Sequence, residues 1–138
     1  GEHGESQSAV WSSVHVSGMK LDSYCDKMGV RIDKDGLVGD IIGLGAQVIK
    51  RKGVTNFAIA AIVAELCGTI MGDRGSIFNV TSLMDGCYGI NDVCISVPCI
   101  LGKEGVVRHL PYDFSEEESE KLLRSAKGLR EFMNDLKI

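Results

Sequence analysis

From about Thr55 to Met71 the chain is apolar nearly all the way round a helix: Ala58, Ile59, Ala60, Ala61, Ile62, Val63, Ala64 and Leu66, with Glu65 the only charge. A surface helix normally keeps a polar face toward water, so a helix without one is expected to be covered on several sides. In a chain of 138 residues a subunit interface is one way to supply that cover. A membrane is not expected to be the answer. The longest strongly apolar run, Ala58 to Leu66, is well short of the roughly 18 residues that span a bilayer.

The rest of the pattern builds around this segment. Val38, Ile41, Ile42, Gly45, Val48 and Ile49 share one face of a helix starting at Asp35, closed by Lys50, Arg51 and Lys52, where cations suit the helix dipole, and stopped by Gly53. Ser76 to Met84 and Val93 to Val97 read as strands, rich in β-branched residues and bounded by Asp85-Gly86 and by Pro98. Gly102 to Gly105 is a turn into a short strand, Val106 to Leu110. Ser115 and Glu118 form a capping box that opens a last helix. Its stripe is Leu122, Leu123, Ala126, Leu129, Phe132, Met133 and Leu136, the spacing of an amphipathic helix packed on a sheet. Near the start, Val14 to Ser17 alternates like a half-buried strand, while Tyr24 to Asp35 reads as polar and irregular. The expected fold class is α+β: one domain, residues 1–138, with an antiparallel sheet packed by long helices.

Charge and composition narrow the partners. A net charge of −4 and 6% aromatic residues leave neither a basic stripe nor stacking platforms, so no nucleic acid is expected. Five cysteines, an odd count without C-x-x-C spacing, read as free and mostly buried thiols in a reducing, cytoplasmic compartment. The chain starts Gly-Glu-His-Gly-Glu-Ser, which is no secretory signal, and with Gly rather than Met it is expected to have been cut from something longer.

Few residues stand out as chemical candidates. Gly1 and Gly4 flank the pair Glu2-His3, which leaves room for a ligand to come close. The imidazole of His3 can exchange a proton near neutral pH; a histidine without a role is the plain alternative. A metal site through Glu2, His3 and Glu5 has the wrong spacing, so no metal is expected. His15 and His109 read as structural. Thr55 stands where a helix begins, a place that favours carboxylates but that also suits a plain N-cap threonine. Gly39, Gly43 and Gly45 lack the spacing and preceding strand of a dinucleotide fingerprint, and close helix packing explains them better.

Five stretches change this balance: Gly1 to Ser6, Val10-Trp11-Ser12, Lys52 to Ile59, Tyr88-Gly89-Ile90 and Ser96 to Leu101. In order and approximate spacing they resemble the C-terminal, substrate-binding half of L-lactate dehydrogenases, of the lactate/malate dehydrogenase family. The resemblance implies that His3 is the catalytic histidine, giving a proton to the keto oxygen of pyruvate as NADH delivers hydride. It implies that Thr55 binds the substrate beside its carboxylate and that Ile59 packs on the nicotinamide ring of the cofactor, NAD. It further implies a small 2-keto or 2-hydroxy acid substrate, a homo-oligomer (tetramer or dimer), and a Rossmann domain that is absent from this chain. Glu5 stands where the family more often has Asp. The Asp that orients the histidine and the Arg that clamps the carboxylate are not in these 138 residues either, so the chain alone is expected to be inactive. The alternatives are the same half of a malate dehydrogenase and a truncated, non-catalytic binding protein. Asn56 to Ile59 and Pro98 to Leu101 lean toward lactate.

Overall fold

The capping box at Ser115 is formed as its spacing predicts. The Ser115 hydroxyl accepts from the Glu118 amide at 3.2 Å, and the Glu118 carboxylate accepts from the Ser115 amide at 2.9 Å. The computed structural model describes residues 6–136. In chain order it contains β1 (His15–Val16), β2 (Met19–Lys20), α1 (Leu21–Met28), α2 (Lys34–Lys52), α3 (Phe57–Met71), β3 (Ser76–Asp85), β4 (Asn91–Gly102), β5 (Gly105–His109) and α4 (Glu116–Asp135). The described residues form two compact units: 6–42 with 112–136, and 43–111.

The first unit holds the N-terminal segment, the small hairpin, α1, the start of α2, and α4. Ser17 (φ 51°) and Gly18 (φ 82°) turn β1 back onto β2, both in the left-handed region that a tight two-residue hairpin demands. The helix α1 corrects the expectation of an irregular Tyr24 to Asp35. Its single buried residue is Leu21, so it carries almost no apolar period; its signals are Asp22 in the first turn, Lys27 in the last, and Gly29 as a left-handed C-cap at φ 64°. Along α4 the buried residues are Glu118, Leu122, Ser125 and Ala126, whereas Leu123, Phe132 and Leu136 of the expected stripe are exposed.

The second unit is a three-stranded antiparallel sheet in the order β3-β4-β5, with α3 packed on β4. Alternation decides its core: Val93, Ile95, Val97, Cys99 and Leu101 of β4 all point to one face and are buried. Met84 of β3 and Thr69 of α3 are buried in the same unit. The strand β4 runs straight through Pro98, correcting the expected end at Val97. Pro98 brings no N–H, and its carbonyl accepts from the Leu110 amide at 2.9 Å. The Leu110 carbonyl, which would take the missing amide, accepts instead from the Tyr88 hydroxyl. A proline in a central strand is tolerated here because another donor fills its place.

Three further expectations are corrected. The N-cap of α3 is Asn56, whose Oδ1 accepts from the Phe57 amide at 2.9 Å, not Thr55. Only Cys99 of the five cysteines is buried; Cys25 and Cys87 are half-buried, and Cys67 and Cys94 are exposed. The glycines of α2 do not mark close packing, since a Cβ at Gly39 or Gly45 would meet nothing within 4 Å.

Candidate active site

The front end of α3 is built from a short polar linker and an apolar first turn. Gly53 (φ 84°) breaks α2, and Val54, Thr55 and Asn56 carry the chain without regular structure to Phe57. Lys52 is folded back over this start: its Nζ donates to Asn56 Oδ1 at 2.6 Å and sits 3.8 Å from the centre of the Phe57 ring. No acidic residue lies in the first turn of α3. The first-turn backbone amides, the positive end of the dipole and the Lys52 ammonium therefore give this end a positive character, suited to a carboxylate. Thr55 and Ile59 are both exposed, one turn apart at this end, Ile59 at 63%. The exposed apolar side chain of Ile59 on the first turn is compatible with packing on a flat ring, as the resemblance implies for nicotinamide. No phosphate cradle is seen among the described residues, because the glycines of α2 are taken up in a continuous helix.

His3, the first candidate, lies outside the described residues, as do Glu2 and Glu5 of the rejected metal reading. The other two histidines are engaged structurally: His15 Nδ1 meets the Ser13 carbonyl at 2.9 Å and His109 Nε2 meets Ser82 Oγ at 2.8 Å. Among the described residues no group of three or more His, Cys, Asp or Glu side chains could hold a metal. Burial pushes the Cys87 thiol up from its usual range, against a thiolate role.

The segment that follows His3 is fixed to α4. Ser6 Oγ lies 3.0 Å from Ser125 Oγ, and the Glu118 carboxylate accepts from the Ser12 amide at 3.0 Å and from the Ser12 hydroxyl. Glu118 is only 9% exposed. Burial pushes its pKa up, but the donors of Ser12 and Ser115 outweigh that and hold the carboxyl below its ordinary range. Beside this segment opens a cleft of about 1140 Å³ lined by Trp11, Lys34, Val38, Lys121, Arg124 and Phe132 among others. The Ser12–Glu118 contact, and the place of Lys52 over Phe57, were missed in the sequence; the Ser115–Glu118 spacing flagged the carboxylate only as a cap.

An α+β chain that pairs an antiparallel sheet with long helices, and carries a carboxylate-suited helix end, is the class that these features define. A sequence model described as the lactate/malate dehydrogenase alpha/beta C-terminal domain matches residues 1–137, and the chain belongs to that family. It is 35% identical to an L-lactate dehydrogenase of Treponema denticola over 99% of this chain and 44% of the relative. It is 34% identical to the L-lactate dehydrogenase of Acetivibrio thermocellus, again over 44% of that protein. Among solved structures, L-lactate dehydrogenase from Clostridium thermocellum matches all of the chain with a TM-score of 0.85 and 35% identity, over 45% of its own length. A lactate dehydrogenase from a Medee basin deep-sea metagenome library matches all of the chain and 45% of its own, with a TM-score of 0.92 at 26% identity. The chain thus spans about 44% of the length of the curated relatives it matches.

Proposed function

We propose that this chain is the substrate-binding half of an NAD-dependent L-lactate dehydrogenase, interconverting pyruvate and lactate. The observation that carries the reading is the positively biased start of α3, where Thr55 and Ile59 stand exposed one turn apart in a chain similar to L-lactate dehydrogenases along its whole length. Thr55 receives the carboxylate end of the small 2-keto acid, beside the helix amides. Ile59 offers an apolar surface to the nicotinamide ring. When bound, NADH supplies a hydride to the carbonyl carbon. His3, as imidazolium, hydrogen-bonds the carbonyl oxygen and donates the proton that completes the hydroxyl group of lactate; neutral His3 takes that proton back in reverse. The remaining cofactor contacts belong to the part of the relatives that this chain does not match. The exposed apolar side chains of α3 support a homo-oligomer, dimer or tetramer, and the free cysteines support a reducing, cytoplasmic setting.

The test is NADH oxidation by the product of the complete reading frame, with pyruvate and oxaloacetate offered separately. Preference for pyruvate is the expected result; preference for oxaloacetate would make this the malate dehydrogenase half instead. The 138-residue chain by itself is expected to turn over neither acid, since neither an Arg clamp nor a phosphate cradle belongs to the site described here.

A further inference from the structure

The contacts of α4 give this helix a task beyond packing. Ser6 stands three residues after His3, a stretch that reaches no more than about 10 Å when extended. Ser125 holds Ser6, and Glu118, about two turns earlier on the same helix, holds Ser12 by two donors. Ser12 lies within the Val10–Ser13 turn, which is braced by its own bonds from the Ser13 amide and hydroxyl to the Val10 carbonyl. Both anchor residues on α4, Glu118 and Ser125, are buried at 9% and 5% exposure. A buried carboxylate with three donors aimed at it is a specific construction, because an apolar replacement would leave those donors unmet.

We propose that Glu118, through Ser12, is a positioning residue for the proton transfer at His3, with Ser125 through Ser6 as the second anchor. The inference rests on the role of His3 proposed above. Catalysis by a positioned acid is sensitive to small displacements, so slack in its tether lowers the chemical step more than it lowers substrate binding. Glutamine cannot replace Glu118 faithfully: its amide nitrogen would face either the Ser115 N–H or a Ser12 donor, setting donor against donor.

The experiment uses the product of the complete reading frame, with Glu118→Gln, Ser12→Ala and Ser12→Thr, the last keeping both donors. Glu118→Gln and Ser12→Ala are expected to lower kcat for pyruvate reduction about tenfold with KM moved by less than about twofold, while Ser12→Thr stays near the parent. Amide hydrogen exchange is read on the same proteins. Faster exchange confined to residues 6–14 and the start of α4, with β3 to β5 unchanged, is the expected pattern. A kcat within about twofold of the parent in both Glu118→Gln and Ser12→Ala overturns the proposal. So does exchange that rises equally in the sheet, which would mark a general loss of stability. Lack of turnover in the parent itself would instead remove the function proposed for His3, and hydrogen exchange would still decide whether Glu118 holds the segment.

Discussion

The two long helices α3 and α4 are opposites. In α4, a helix of polar residues with a narrow apolar stripe, the buried positions are satisfied inside the chain: Leu122 and Ala126 in the core, Glu118 and Ser125 on hydrogen-bonding partners. In α3, a helix with hardly a polar side chain, only Thr69 is buried. Phe57 is 75% exposed, Ile59 63%, Val63 50% and Met71 87%. One helix finds cover for its buried positions within this chain; the other leaves most of its apolar side chains exposed there. Exposed apolar surface of that kind is typical of regions that meet another protein.

The same kind of change should cost the two helices unequally. Leu122→Ala should cost about 2–5 kcal/mol, the range for emptying a buried leucine site, whereas Ile62→Ala on α3 should cost well under about 1 kcal/mol. Urea midpoints of the isolated chain would show it, and equal losses would mean that α3 is covered after all. Glu118→Gln comes next, at about 1–3 kcal/mol for unmet buried donors.

That loss should also depend on pH, with a determined sign. The folded-state pKa of Glu118 is lowered, so its stabilisation is fully present above the ordinary carboxyl value of about 4.3 and fades as pH falls through the folded value. The gap between parent and Glu118→Gln should therefore narrow in acid, and a gap that widened would contradict the assignment. Glu117 is also lowered, by its Lys121 hydrogen bond, but is fully exposed and should matter little.

Caps offer a finer contrast. Ser115→Ala removes half of a capping box and should cost about 1 kcal/mol. Asn56→Ala, whose exposed Oδ1 accepts from the Phe57 amide and the Lys52 ammonium, should cost less, about 0.5 kcal/mol in a thermal melt. Smallest in stability, yet visible in solution, is Ile62→Glu: it should change the midpoint by less than about 0.5 kcal/mol while weakening self-association of the isolated chain on dilution in size-exclusion runs. A parent that runs as a clean monomer at every concentration would remove the sticky-face account of α3.

What could be read in the sequence follows the same division. The cap, start and inner stripe of α4 were legible because they use local signals and because their partners lie in this chain. The extent of α3 was legible too, but its burial was not, since periodicity reports that a face wants cover and not where the cover comes from. The helix α1 was missed because it buries one leucine and relies on Gly29 and end charges instead of an apolar period. Pro98 misled because its remedy, the Tyr88 hydroxyl on the Leu110 carbonyl, comes from outside the strand and is invisible to local rules. The site was the least legible part. Taken singly, His3 and Thr55 have plain structural readings, and only the ordered resemblance gave them roles. Glu118 reached Ser12 across 106 positions of sequence, a contact no spacing announces.

The most direct test of the central claim is pyruvate reduction by NADH with the product of the complete reading frame, with and without His3→Asn. The account predicts turnover that falls about 10²- to 10⁴-fold in the variant, with the fold intact by circular dichroism. Turnover left unchanged by His3→Asn would contradict it.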